Sequence, residues 1–351
     1  MAELRGVERD VALGPLTTLA VGGDARFFFE ASSIDALTAA LAWAKTRGLP
    51  TLILGDGSNV FIGDDGFEGL VIRLSLADLR FEQTGDVVRV AADAGAVWDA
   101  LVDEAVARDA AGIECLTGIP GRVGAAPIQN IGAYGQEVAE TVEAVEAVER
   151  SSGRVVKFSA SECAFAYRDS RFKRSRDEWV ITRVHFVLHQ GGAPALRYAE
   201  LARRAEALDA ISLTSVRTLV RSIRAEKSML RVKGDPNFHS AGSFFVNPIV
   251  DAATATRIDK ATTASMPRYP APNGGIKLSA AWLIERAGFS KGWGDGLAGL
   301  STRHTLAIVN RGSAHAHDIL TVAVSVRDGV REAFGVTLVP EPVLVGVMWP
   351  T

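Results

Sequence analysis

At 351 residues, with 48% hydrophobic and 23% charged side chains and a net charge of −3, the chain has apolar material for two or three domains. The charge balance, with no basic stripe interleaved with aromatics, gives no electrostatic case for nucleic acid or an anionic membrane as partner. The apolar runs are too short and too broken by charge to span a bilayer. Only two cysteines, Cys115 and Cys163, and a start (MAELRGVERD) without a signal-type apolar core make the cytoplasm the expected compartment.

In chain order, residues 16–30, LTTLAVGGDARFFFE, end in an aromatic run that predicts a strand entered from a Gly22-Gly23 turn. Ser33 opens a helix carrying Ile34, Leu37, Leu41 and Ala44 at helical spacing, with Asp35 at its positive end and Gly48 and Pro50 as the stop. A strand over 51–54 runs into Gly55-Asp56-Gly57-Ser58-Asn59, and short strands at 60–62 and 70–72 follow. Without a helix after the loop a Rossmann unit fails. What survives is a loop of backbone N–H groups with Ser58 and Asn59, able to hold a pyrophosphate without a helix dipole.

A strand over 86–92 and a helix over 97–107, with Leu101 and Ala105 inward, lead to a glycine-rich stretch, and strands at 142–148, 155–158 and 179–188 suggest a mixed sheet. Past Gln190-Gly191-Gly192 the composition shifts to helices over 195–208 and 216–229, so the domain boundary is expected near 192–215. Arg224 and Lys227, three apart on one face of the second helix, read by default as a solvent-exposed edge. A helix over 278–287, a strand over 305–309, a helix over 314–334 and an apolar strand over 338–346 close the order. Glu341, between Pro340 and Pro342 at the mouth of that strand, is rigidly placed for a charge.

The stretch at 112–135, GIECLTGIPGRVGAAPIQNIGAYG, carries one charge after Leu116, Arg122. Gly121, Gly124, Gly132 and Gly135 let backbone groups press against a flat or phosphorylated ligand, and Gln129 and Asn130 add donors and acceptors for a ring edge. The plainer reading is a buried turn tying two layers together. The second glycine-rich turn upstream favours the ligand. Between the later strands, 166–173 (AYRDSRFK) reads from composition alone as a solvated basic loop.

The ordered set LTTLAVGG, ILGDGSNV, IPGRVGAAPIQNIGAYG, AYRDSRFK, AGSFFVNP, KLSAAWLIERAG and Pro340-Glu341 resembles the UDP-N-acetylenolpyruvoylglucosamine reductases along nearly the whole chain. The resemblance implies an α+β fold: a two-part FAD-binding unit of the vanillyl-alcohol-oxidase type, 1–76 and 77–214 with 335–351, and a substrate-binding domain over 215–334. It implies non-covalent FAD, NADPH as co-substrate and UDP-N-acetylglucosamine enolpyruvate as substrate, no metal, and a monomer. The segment LRYAEL at 196–201 resembles the tyrosine loop of the family's first type.

By the same resemblance Arg168 and Glu341 stabilise charge on the substrate's carboxylate side, and Ser243 protonates carbon. Gly55, Asp56, Gly57, Ser58 and Asn59 would hold the pyrophosphate; Gly121, Gly124, Ala125, Gln129, Asn130, Gly132 and Ala133 would hold the flavin ring and its linker. Tyr167, Tyr198, Lys227 and Asn247 would hold the sugar nucleotide, the lysine at its diphosphate. The linker at 230–236, LRVKGDP, departs from the expected spelling beside Lys227. Taken without the resemblance, Ser243 is a small turn residue, Glu341 a strand-end charge and Arg168 an ion-pair partner of Asp169. Cys115 and His304 read as structural. Two other functions fit the same motifs: an alcohol or sugar-lactone oxidase of the same flavin fold, and a non-catalytic flavin- or sugar-nucleotide-binding homologue.

Overall fold

Ser33 accepts a hydrogen bond from the Ala36 N–H at 3.0 Å, capping the helix Ile34–Lys45, which buries Leu37, Ala40, Leu41 and Ala44. It belongs to the first of two units in the computed structural model, which describes residues 3–262 and 265–350. That unit comprises Met1–Val11, Ala25–Asp56 and Glu68–Arg231; the second comprises Ala12–Asp24, Gly57–Phe67 and Val232–Thr351. Among the described residues no helix is long and apolar enough to cross a membrane.

In the first unit, Val155–Ser159, Val142–Glu149, Trp179–Gln190, Val87–Asp93 and Leu79–Thr84 lie side by side in that order. All these pairs are antiparallel, a correction to the mixed sheet expected there; parallel pairing occurs elsewhere, between Thr51–Ile53 and Leu70 to Ile72. Short connections favour antiparallel pairing in two of these pairs, Leu79–Thr84 with Val87–Asp93 and Val142–Glu149 with Val155–Ser159. Alternating residues of these strands, including Val88, Val90, Val145, Val184 and Phe186, join one apolar core with the helix Trp98–Ala107. The GDGSN loop leads into the strand Val60–Ile62, so the Rossmann reading fails in the structure too.

Asp99 ties the helix Trp98–Ala107 to its neighbours. Its carboxylate accepts from the Gly118 N–H at 2.6 Å, the Thr117 hydroxyl at 3.0 Å and Arg221 at 2.6 Å. Burial raises its pKa, but these three partners outweigh burial and hold it below the ordinary aspartate value. A depressed folded pKa gives stability that is full at neutral pH and is lost as pH falls through the folded value. Asp99→Asn is therefore expected to cost about 1–2 kcal/mol at pH 7. Urea melts at stepped pH should show the gap to wild type closing below about pH 3.9, the unfolded aspartate value; a gap constant down to pH 2 would exclude the charge as its source.

Several element ends differ from expectation. The helix expected over 195–208 is only Ala199–Ala205, because Ala195 donates its N–H to the buried Glu114 carboxylate at 2.8 Å and the chain stays extended to Tyr198. The helix expected over 216–229 is Leu213–Glu226: Ser212 and Ser215 form a reciprocal cap at its start, and Ser228 with φ +51° turns the chain after it. Ser279 caps Ala280–Arg286, which leaves Leu278 to the strand Ile276–Leu278. The strand expected over 305–309 is Ile308–Asn310, since Ala307 closes a turn onto His304. Of 338–346 only Val343–Val345 is strand, because Pro340 and Pro342 lack the N–H a ladder needs. The helix Ala252–Ala261, capped by Asp251, was not expected.

The second unit has its own core, built from Phe61, Phe244, Phe245, Leu283, Ile319 and their neighbours, with the helix Ala316–Phe334 along it. That helix ends at Gly335 in the left-handed conformation, and its first N–H groups, of Ala316 and His317, donate to Asp64. Val343–Val345 pairs in parallel with Val60–Ile62. Residues far apart in sequence thus form one ladder.

Candidate active site

The glycine-rich stretch at 112–135 is loop with short helical turns, as its composition requires. Arg122, its one charge after Leu116, donates to Asp56 at 2.6 Å and to the Gly95 carbonyl at 2.8 Å. Asp56 also meets Arg73 at 3.2 Å. So Arg122, which sequence reasoning left without a role, wires the 112–135 stretch to Asp56. Its isolation among neutral residues was the signal. The Val123 and Gly124 N–H groups donate to Ala96 and Ala94, and a Cβ on Gly124 would lie 2.6 Å from that of Ala94. Ala125 is exposed and Gln129 half-buried.

Further on, Gly132–Ala133 pairs with Gln136–Glu137 across Tyr134 and Gly135, both at positive φ, a tight two-residue hairpin. Asn130 is buried. Its side chain bonds Glu137 at 2.9 Å, the Ala166 carbonyl at 3.1 Å and the Ala139 N–H at 3.0 Å. It braces the stretch from within, and its own carbonyl faces outward to Arg168.

Arg168 sits at φ +52° in a tight turn closed by reciprocal bonds between Ala166 and Asp169. Its guanidinium donates to the Gly132 carbonyl at 2.7 Å and the Asn130 carbonyl at 3.3 Å and lies 5.3 Å from the Tyr167 ring centre. Asp169 pairs with Arg174. The segment 166–173 is not simply a solvated loop: Ser170 bonds the Ile128 carbonyl at 2.6 Å and caps the short helix Arg171–Arg174.

Lys227 and Tyr198 meet in the same unit. The Lys227 ammonium lies 2.6 Å from Glu200 and 6.0 Å from the Tyr198 ring centre, and that ring packs edge-on against Tyr134 at 5.3 Å. Burial pushes the Tyr134 phenol up to about 12, so it stays protonated. Arg224 is not the solvent-exposed edge expected: it donates to the Gly118 and Met229 carbonyls at 3.0 and 2.8 Å, and burial lowers its pKa. Cys115 is buried, donates to the Ala195 carbonyl, and has its thiol pushed up by burial, as suits a structural residue.

In the second unit, Ser243 is half-buried between Gly242, at φ +69°, and Phe244, whose ring is fully buried against Phe61 and Phe245. The Phe244 N–H donates to Leu306 at 2.7 Å, and its carbonyl accepts from the Glu341 N–H at 2.8 Å. Val246 donates to Val339, and Phe245 bridges Pro340. Glu341 is therefore locked beside Ser243 by backbone bonds. Asn59 joins them: its side chain donates to the Glu341 carbonyl at 3.4 Å, and its carbonyl accepts from Val343 at 3.0 Å. Asn247 accepts the Ala280 N–H at 2.9 Å, leaving its amide nitrogen as donor. Gly57, at φ +58°, lies so near Leu16 and Thr17 that a Cβ would fall 2.5 Å from the Leu16 oxygen, which gives the LTTLAVGG motif a physical purpose.

The amide N–H groups of Gly55, Asp56, Gly57 and Ser58 donate to no protein acceptor among the described residues. Four backbone donors in succession, half-buried or buried, fit the negatively charged oxygens of a pyrophosphate. Among the described residues no group of three or more His, Cys, Asp or Glu gathers in a metal-binding arrangement.

The family model described as UDP-N-acetylenolpyruvoylglucosamine reductase, C-terminal domain, matches residues 235–345, and that described as FAD binding domain matches residues 25–159. The UDP-N-acetylenolpyruvoylglucosamine reductase of Thermobifida fusca (strain YX) is 46% identical over 97% of this chain and 98% of its own length. That of Mycobacterium sp. (strain MCS) is 46% identical over 98% of each. The crystal structure of UDP-N-acetylenolpyruvylglucosamine reductase from Thermus caldophilus, 28% identical, aligns over 97% of this chain and 98% of that one with a TM-score of 0.68. The α+β fold is thereby shared as well as the sequence, and the chain belongs to the UDP-N-acetylenolpyruvoylglucosamine reductase family.

Proposed function

We propose that the protein reduces UDP-N-acetylglucosamine enolpyruvate to UDP-N-acetylmuramate with NADPH as co-substrate and non-covalently bound FAD, a step of peptidoglycan precursor synthesis. The observation supporting this reading is the backbone hydrogen bond from Glu341 to Phe244, which holds the Glu341 main chain against the residue that follows Ser243. FAD, when bound, supplies hydride transfer. The N–H groups of 55–58 and the side chain of Asn59 serve its pyrophosphate, and Gly121, Gly124, Ala125, Gln129, Asn130, Gly132 and Ala133 its ring and linker. With Cys115 buried and its thiol raised, no nucleophile in these loops favours a covalent link.

The protein's own groups supply charge and a proton. Arg168, oriented by the carbonyls of Asn130 and Gly132, takes the substrate carboxylate. In its protonated form Glu341 donates a hydrogen bond to the charge that develops next to it; one such preorganised donor lowers a barrier by about 3 kcal/mol. Ser243 gives its Oγ proton to the carbon and is re-protonated from water, with Asn247 able to stabilise the oxygen by a hydrogen bond. Tyr167, Tyr198, Lys227 and Asn247 hold the sugar nucleotide, Lys227 at the diphosphate. By function, 1–76 and 77–214 with 335–351 serve the flavin and 215–334 the substrate, in a cytoplasmic monomer.

A visible spectrum tests the reading. A yellow protein is expected to bleach anaerobically with NADPH and to recolour on addition of the enolpyruvyl sugar nucleotide. Bleaching without recolouring would overturn the substrate; a colourless protein unable to take up FAD would overturn the whole reading.

A further inference from the structure

Lys227 ends the helix Leu213–Glu226, and its long stem projects from the last turn, where Ser228 at φ +51° leads the chain away. A lysine so placed is a flexible point charge. Yet its ammonium is fixed, 2.6 Å from Glu200 Oε2 and over the Tyr198 ring. Glu200 is itself held: its Oε1 accepts from Arg204 at 3.0 Å, and Arg204 donates to both oxygens of Glu226 at 2.6 and 2.7 Å. The chain Glu226, Arg204, Glu200, Lys227 alternates in sign and runs from the helix Leu213–Glu226 to Ala199–Ala205 and back. Its four charges cancel, so the cluster does not repel an anion. An ammonium has three donors, of which Glu200 takes one.

We infer that Glu200 is a positioning residue for the sugar nucleotide: it holds the Lys227 ammonium where the diphosphate is to be met, and Arg204 and Glu226 brace it from behind. This rests on the reading of Lys227 as the cation at the diphosphate. Glu200 touches no substrate atom. It removes the need to order a loose lysine on binding.

The test is a double-mutant cycle on the full-length holoenzyme, measuring KM and kcat for UDP-N-acetylglucosamine enolpyruvate and, by titration, the Kd of UDP-N-acetylglucosamine. Glu200→Gln is nearly isosteric and removes the charge. KM and Kd are expected to rise about tenfold, the scale of coupling in a close charge pair, with kcat within about twofold. Glu200→Asp should recover part of the loss. In a Lys227→Met background Glu200→Gln should have no further effect, whereas a merely structural Glu200 would weaken binding equally in both backgrounds. Equal loss in both backgrounds overturns the inference, and so does tighter binding in Glu200→Gln, which would make Glu200 a competitor of the diphosphate. If Lys227→Met leaves KM and Kd unchanged, the diphosphate reading of Lys227 fails and the inference with it; if Lys227→Met weakens binding and Glu200→Gln does not, only the inference fails.

Discussion

Ser243→Ala should still bleach with NADPH at close to the wild-type rate, yet turn over the enolpyruvyl sugar nucleotide about 10²–10⁴-fold more slowly, the range for loss of a positioned acid. The asymmetry follows from what the hydroxyl does not hold. The local backbone is fixed by Phe244 N–H to Leu306, by Glu341 N–H to Phe244 and by two buried phenylalanine rings, none of which involves Ser243 Oγ. Removing that oxygen leaves the frame and takes away a proton. Stopped-flow absorbance in each half-reaction separates the two: equal losses in both would remove Ser243 from proton transfer and return it to the role of a small turn residue.

The largest expected effect on stability lies at Trp98. Its indole is fully buried, packs against Phe186 at 6.1 Å, and donates to the Leu116 carbonyl at 3.0 Å, while its backbone N–H donates to Gly121 at 3.0 Å. One residue thus fastens the start of the helix Trp98–Ala107 to both ends of the segment carrying Gly118 and Gly121. Trp98→Ala should cost about 3–5 kcal/mol through the cavity it leaves, and lower the melting temperature by on the order of 10 °C. Trp98→Phe keeps most of the packing and loses the indole donor, for about 1 kcal/mol. Differential scanning calorimetry with and without added FAD would show it; a Trp98→Ala protein melting within 2–3 °C of wild type, roughly the effect of 1 kcal/mol, would mean that the stretch is held elsewhere.

Much of the fold was legible because local chemistry and tertiary position agree. Ser33 capped its helix, Gly335 ended another, and alternating valines lay in the sheet. The errors fall where a distant group overrides the local pattern. The helix expected over 195–208 lost its first turn to Glu114, a buried carboxylate some 80 residues upstream that claims the Ala195 N–H. Arg224 has the spacing of a surface residue, and only the carbonyls of Gly118 and Met229 reveal why it is half-buried. In the site, Ser243, Glu341 and Asn59 could be named from their motifs, but their assembly depends on a ladder between 60–62 and 343–345 that no local pattern encodes. Glu200 had no role in the sequence beyond its place in LRYAEL; its ion pair with Arg204, four residues on, appears only in the structure.

That ladder has a consequence for synthesis. Asn59 and Glu341 are 282 residues apart in sequence. At 5–20 residues per second a ribosome needs roughly 15–60 s to travel that distance. For that time the edge of Val60–Ile62 emerges without its partner, and the nascent chain carries fully apolar strand edges of the kind that recruit chaperones. The GDGSN loop before it gains its anchor at Glu341 only when Val343–Val345 arrives, so this part of the fold closes long after its first half has been made.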